Sequence, residues 1–352
     1  MKKVLVAMSG GVDSSVAAAL LQEQGYQVSG ATIQMWHGTA ESPCSREAVE
    51  DASRVADSLG IPFYTFDMEE VFHKEVIDYF VKEYTLGRTP NPCIQCNRRI
   101  KFGQFFHIAD ELGVDFIATG HYARIVKEGE RRRLLRGLRT EKDQSYFLYP
   151  LTEDKLKRIL FPVGDYTKNE IRLMAKQFQL KIADKPDSQE ICFVPGNDYK
   201  DFLRSQGGLT ETPGDIVDTQ GNVIGCHDGV FNFTIGQRRG LGVSQGTPLY
   251  VLDINAKTNT IVVGSNEETG GRVFTVDDFT WISGSSPGES FQSKVQIRYN
   301  AQAQPANVRL LFPGRVRIEF FQPQRAVAPG QAAVIYAGEE VLGGGKITER
   351  LL

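Results

Sequence analysis

Val4-Leu5-Val6-Ala7-Met8-Ser9-Gly10-Gly11-Val12-Asp13-Ser14-Ser15-Val16-Ala17-Ala18-Ala19-Leu20-Leu21 is the stretch that decides the fold. An apolar run, a Ser-Gly-Gly turn and a second apolar run read as strand, turn and helix. The glycines let main-chain amides close on an anion, and the following helix aims the positive end of its dipole at the same point. The hydroxyls of Ser9, Ser14 and Ser15 add donors. Asp13 is the exception, because a carboxylate repels phosphate. A bridging Mg2+ reverses that sign, so Asp13 reads as a metal-bridged contact. The Gly-x4-Gly-Lys-Ser/Thr pattern of a Walker loop is absent from the sequence.

Working outward, Gly25 stops the first helix and 28–35 reads as a second strand. Ligands in such folds sit at the carboxyl ends of strands, which places Met35 near the anion site. A helix over 46–59, a strand over 61–67, helices over 71–84 and 105–112 and a strand over 115–119 follow. This alternation predicts an α/β, doubly wound parallel sheet. Beyond residue 205 the chain turns to Gly, Thr and short β-like runs, then from 272 to regularly alternating strands. The expected organisation is a nucleotide-binding domain over 1–205, a small β-rich central domain over 206–270 and an antiparallel β-barrel over 271–352.

Hydrophobic content of 41% and charged content of 24% over 352 residues are ordinary for a globular chain. The net charge of −3 gives no global attraction for nucleic acid, so RNA binding would need local basic patches. Without an apolar run of membrane-spanning length, and with Met1-Lys2-Lys3 leading straight into a strand, a cytoplasmic protein with no membrane partner is expected. Five cysteines, an odd number, argue for reactive or metal-binding thiols over a disulfide framework.

Gly87-Arg88-Thr89-Pro90-Asn91-Pro92-Cys93-Ile94-Gln95-Cys96-Asn97-Arg98-Arg99-Ile100-Lys101-Phe102 reads as a loop, punctuated by two prolines. Its cations and an adjoining helix N-terminus are expected to raise the thiolate fraction; the alternative is two incidental loop cysteines. Residues 122–136 predict a basic β-hairpin, either a solvated edge or a functional surface. Thr167-x-x-Glu170 is a capping box opening a helix over 168–178, and 185–193 is a second cysteine-bearing loop.

The opening string resembles the PP-loop of the ATP pyrophosphatases. The rest of the chain narrows that resemblance. G-R-T-P-N-P-x-x-x-C-N at 87–97, A-T-G-H-Y-A at 118–123, K-D-Q-S at 142–145, S-Q-E-I-C-F at 188–193, G-Q-R-R-G-L-G at 236–242 and P-G-Q-A-A-V at 329–334 together resemble the tRNA-specific 2-thiouridylases. That resemblance implies a PP-loop domain, a central domain and a tRNA-binding barrel. It implies ATP-dependent thiolation of the wobble uridine of tRNAs for Lys, Glu and Gln, with a cysteine desulfurase or sulfur-relay protein as donor. ATP contacts then fall on Ala7, Met8, Ser9, Gly10, Gly11, Val12, Asp13, Ser14, Met35 and Gly120. Cys192 matches a persulfide carrier, and Cys96 the thiol that attacks the persulfide and leaves a Cys96–Cys192 disulfide. Target-base and tRNA contacts fall on Asn91, Pro92, Cys93, His121, Lys142, Asp143, Gln144, Arg298, Tyr299 and Gln331.

One residue departs from the pattern. Some members of the family carry Asp where this chain has Cys93, and the thiol cannot supply that carboxylate. Cys93, Cys96 and Cys192 together suit a [4Fe-4S] cluster with one open iron, or zinc with a missing fourth ligand, as alternatives to a persulfide relay. Two further readings stay open: another PP-loop ligase or amidotransferase, and an inactive RNA-binding module. Cys44 and Cys226 are expected to be ordinary structural residues.

Overall fold

The computed structural model describes residues 1–36, 46–185, 191–194, 196, 198–243 and 246–351; Cys44 and the 186–190 part of the second cysteine loop lie outside the described residues. The chain opens with β1 (Lys3–Ala7), α1 (Val12–Glu23), β2 (Gln27–Gln34), α2 (Arg46–Leu59) and β3 (Phe63–Asp67), and β4 (Phe116–Thr119) follows after a helical region. With the short strand Ile159–Leu160 these form one sheet in the order β3-β2-β1-β4-Ile159/Leu160, every pairing parallel. Val4, Leu5 and Val6 are fully buried, as expected of a central strand covered on both faces. Each such side chain contributes about 1.5–3 kcal/mol. In α1, Val12 and the run from Ser14 to Leu21 are also buried, between the sheet and the helix Lys168–Gln177.

β1 lies between β2 and β4, and the chain runs outward on both sides of it. The carboxyl ends of β1 and β4 therefore flank the topological switch point, the crevice where such sheets take ligands.

The expected loop over 87–102 is largely helical. Pro92–Gln95 forms an α-helical turn that runs into a π-helical stretch, Cys96–Gln104, and then into Phe105–Glu111. Pro92 occupies the first turn, where a missing N–H costs nothing, so it starts the helix it was expected to forbid. The helix expected over 71–84 is present as Glu69–Phe72, a π-helical His73–Ile77 and Asp78–Thr85.

A four-stranded sheet in the order Tyr250–Asn255, Thr260–Gly264, Gly214–Val217, Val223–His227 makes the central unit. The C-terminal strands Gly270–Trp281, Ser290–Gln296, Gln304–Phe312, Arg315–Arg325, Ala332–Ala337 and Glu340–Leu351 are antiparallel, and pairing of the first with the last closes the barrel. The basic hairpin is present as Ala123–Glu128 and Arg131–Arg136 at the edge of the barrel sheet, with Ala123–Glu128 outermost. It pairs with the last barrel strand at Leu135–Glu340, and Arg131 and Arg133 both reach Glu340 at 2.8 Å. Among the described residues no helix is long and apolar enough to cross a membrane.

Candidate active site

The Ser-Gly-Gly turn leaves β1 at the switch point. Gly10 has φ +66°, and a Cβ there would stand 2.3 Å from the Ala48 carbonyl oxygen of α2, so only glycine fits. Gly120, at the end of β4, lies so close to α1 that a Cβ would meet the Ser14 nitrogen at 2.6 Å. The two strand ends are thus pressed together at the helix N-terminus. No side chain caps that N-terminus: Ser14 Oγ and Ser15 Oγ donate back to the Gly11 carbonyl at 3.2 and 2.9 Å, and Ser9 N–H donates to Ser14 Oγ at 3.2 Å. The first-turn amides are left to an anion. Met8 and Val12 are buried, so in that region they present backbone only.

Asp13 is more tightly held than the sequence suggests. Lys168 Nζ lies 2.7 and 2.8 Å from its two oxygens, and the Tyr122 hydroxyl donates to Oδ1 at 2.7 Å. Lys168 opens the capped helix after Thr167, and both arms of the Thr167/Glu170 box are formed. Sequence reasoning found the cap and missed the lysine beside it. It also missed Lys185, whose Nζ bonds Asp51 Oδ2 at 2.6 Å and the Gly10 carbonyl at 3.3 Å, tying the turn to α2. The carboxylate of Asp13 keeps lone pairs for Mg2+, which fits a metal bound through ATP at this place.

Across the same crevice stands the thiol helix. Cys96 is buried, with Sγ 3.7 Å from Met35 Sδ at the end of β2. Cys93 presents surface to solvent yet has protein densely around it. Cys192 is half-buried, anchored by Phe193 among the rings of Phe72, Phe80 and Phe202. None of these three thiols is in a disulfide. Cys192 lies within electrostatic reach of both Cys93 and Cys96.

The expectation of activated thiolates is reversed. Burial pushes Cys93 up to about 11 and Cys96 up to about 12, Cys192 adds to both, and only Lys101 pulls them down. The other three cations of the stretch are spent elsewhere: Arg88 pairs with Glu83, Arg98 with Asp278 of the barrel and Arg99 with Glu75. Among the described residues no three His, Cys, Asp or Glu side chains form a group that could hold a metal ion.

The expected tRNA contacts divide. His121 stands beside Phe102 and Phe161 with Nδ1 2.7 Å from Thr119 Oγ1; burial, with the charge of Lys101, holds it well below the usual histidine range and so neutral. Tyr299 packs on Phe147 at 4.5 Å between ring centres and lies within reach of Cys93. Arg298 and Tyr299 follow the strand Ser290–Gln296, and Arg298 donates to the Arg325 carbonyl at 3.1 Å. Asn91 Oδ1 is buried with no hydrogen-bond partner in the described structure. Gln331 Nε2 donates to the Thr89 carbonyl at 2.8 Å. Asp143 is turned inward and buried, accepting from Arg136 at 2.6 Å and from Gly137 N, Ser145 N and Ser145 Oγ at 3.0 Å each. Gln144 Oε1 takes the Tyr122 N–H at 3.0 Å, and Lys142 beside it is half-buried.

Residues 2–196 match the family described as tRNA methyl transferase HUP domain, 200–265 its PRC-barrel domain and 271–347 the aminomethyltransferase beta-barrel domain. The tRNA-specific 2-thiouridylase MnmA of Carboxydothermus hydrogenoformans is 51% identical over 99% of this chain and 98% of its own. The chain belongs to the tRNA-specific 2-thiouridylase family. The 2-thiouridylases MnmA of Acetivibrio thermocellus and Chloroflexus aurantiacus are 48% and 50% identical, covering 98% and 99% of this chain and 99% and 98% of their own. Full-length coverage carries the 2-thiouridylase assignment across all three units, barrel included.

Proposed function

We propose that this enzyme thiolates carbon 2 of the wobble uridine in tRNAs for Lys, Glu and Gln, in the cytoplasm, using ATP and a persulfide on Cys192. The observation that carries the reading is the shared crevice: Cys96 Sγ is 3.7 Å from Met35 Sδ at the sheet edge that also presents the Ser9–Ser15 cradle. A uridine carbonyl oxygen is a poor leaving group, so it attacks the α-phosphorus of ATP and pyrophosphate departs. The cradle and α1 N-terminus hold the departing phosphates. Mg2+, when bound, supplies charge neutralisation there, with Asp13 as its side-chain ligand.

Sulfur then enters. The Cys96 thiolate attacks the outer-chain link of the Cys192 persulfide at the carrier sulfur, forming a Cys96–Cys192 disulfide and releasing hydrosulfide. Hydrosulfide attacks carbon 2 and AMP leaves. Burial keeps Cys96 protonated until this step, and Lys101 is the cation placed to favour its ionisation. A thiol reductant first opens the Cys96–Cys192 disulfide by two-electron reduction, and a cysteine desulfurase or sulfur-relay protein then transfers sulfane sulfur to the freed Cys192 thiol. Asn91, Pro92, Cys93, His121, Arg298, Tyr299 and Gln331 frame the space for the base, which costs little to extrude because it starts unpaired in its loop. Lys142, Asp143 and Gln144 brace that wall.

The test is sulfur incorporation into cognate tRNA with ATP and a persulfide donor, in wild type and Cys192→Ala. Loss in Cys192→Ala supports the relay, and full activity there overturns it. Iron with acid-labile sulfide in anaerobically purified protein would replace the relay by a [4Fe-4S] cluster.

A further inference from the structure

The C-terminal barrel grips the thiol helix at both ends. Before the helix, Thr89 N–H donates to the Pro329 carbonyl at 2.9 Å and Gln331 Nε2 to the Thr89 carbonyl at 2.8 Å. Gly330 makes that approach feasible, since a Cβ there would lie 2.9 Å from the Thr89 backbone. After Cys96, the Arg98 guanidinium forks onto the Asp278 carboxylate and also donates to Thr280 Oγ1 at 3.3 Å. Cys93 and Cys96 lie between these two grips.

The second grip is specially built. Asp278 is a non-glycine residue at φ 53°, and pairing of its strand with the last strand shifts register between Asp277 and Thr280. A bulge of this kind re-aims a side chain out of the sheet, and left-handed backbone at a non-glycine residue persists where its surroundings fix it. The target of the re-aimed carboxylate is Arg98, inside the π-helical stretch Cys96–Gln104, which kinks at Phe102. π-Helical insertions change the facing of side chains and so need something to set them. Lys155 bonds the Phe102 carbonyl at the far side of that kink.

We propose that Asp278 is a positioning residue for the thiol chemistry: acting through Arg98, two residues beyond Cys96, it holds the π-helical stretch so that Cys96 faces Met35 and Cys192. The inference rests on Cys96 being the sulfur-releasing thiol. It makes the barrel part of the active site and not only a platform for tRNA.

The discriminating variant is Asp278→Gly. Glycine accepts the left-handed backbone, so the bulge survives while the carboxylate is lost. The pair is largely exposed on the Asp278 side, and such pairs add little to global stability, so melting temperature stays near wild type. Thiolation at saturating tRNA and ATP is expected to fall about 10- to 100-fold, the scale of a small misplacement of a reacting group. Pyrophosphate release and tRNA affinity stay unchanged. Iodoacetamide labelling of the Cys96 peptide, read by mass spectrometry, speeds up as the thiol loses its packed setting. Arg98→Ala gives the same loss, and the double variant is no worse than either single. Thr280→Val, which removes one bond only, gives a smaller defect. Wild-type thiolation and labelling in Asp278→Gly, or an equal loss of pyrophosphate release, overturns the proposal. Full activity in Cys96→Ser instead overturns the sulfur-release reading, while the labelling result still judges the grip.

Discussion

Replacing Lys168 by methionine removes an ion pair that holds Asp13. The ammonium lies 2.7 and 2.8 Å from the two carboxylate oxygens, and the side chains are 14% and 31% exposed. Breaking a fully buried pair costs about 3–5 kcal/mol, and a surface pair is worth about 0–1 kcal/mol. Discounting for solvent at this exposure leaves about 1–3 kcal/mol, with the Tyr122 hydroxyl still in place. Where that energy is expressed only in the adenylation transition state, it is roughly one to two decades in rate. The assay is single-turnover pyrophosphate release with cognate tRNA and saturating ATP. Lys168→Met is expected to slow it about 10- to 100-fold while leaving tRNA binding and persulfide loading of Cys192 intact. Because both residues act as one unit, Asp13→Asn combined with Lys168→Met is no slower than Asp13→Asn alone. Pyrophosphate release at the wild-type rate in Lys168→Met, or a double variant whose losses multiply, would refute the argument that Lys168 works through Asp13.

Two further outcomes follow from burial. With Cys93 up to about 11 and Cys96 up to about 12, iodoacetamide should label neither appreciably at neutral pH, and Cys93 should gain reactivity at lower pH than Cys96. The sign follows from linkage: raised thiol pKa values stabilise the fold below the unfolded value of about 8.5, and that contribution is lost as pH climbs above it. Rapid labelling of both at pH 7 would contradict the burial argument. Asp143→Ala takes the carboxylate from Arg136, which keeps Gln296 Oε1 at 3.0 Å and stands 3.6 Å from the Tyr336 ring centre, and should cost about 3 kcal/mol in denaturant unfolding. An unchanged unfolding midpoint would show that the carboxylate is not a structural anchor.

What the sequence made legible was local. The strand-turn-helix of the first two dozen residues is written in apolar runs and glycine spacing, and the Thr167/Glu170 cap in a four-residue pattern. What it hid was the destination of charge. Lys168 finds Asp13 across 155 residues and Arg98 finds Asp278 across 180, and no local pattern records either pair. Arg98 and Arg99 therefore looked like an activating cluster for the thiols, and Arg131, Arg133 and Arg136 like a free basic surface, when each had a carboxylate waiting in the fold. Pro92 misled for a different reason. Proline signals both a loop and a helix start, and only the helical course of the residues after it decides between them.

In the proposed mechanism, the end of β4 stands between the groups of the two half-reactions. Thr119 fixes the His121 ring, which packs on Phe102 of the π-helical stretch and feels the charge of Lys101 near the thiols. Gly120 presses on the start of α1, and Tyr122 donates to Asp13. Tyr122 is itself fixed by Gln144, which accepts its N–H and donates its own N–H to the Tyr122 carbonyl at 2.9 Å. Four consecutive residues thus touch the phosphate cradle on one side and the thiol helix on the other. Between Asp13 and the His121 ring the contacts are packed rings and short hydrogen bonds, not open loop. That contiguity also sets which perturbations separate the steps. A change at Asp278 acts beyond Phe102 and leaves the cradle alone. A change at Tyr122 or Gln144 loosens Asp13 and the neighbour of His121 together, and so should impair adenylation and sulfur transfer in one stroke.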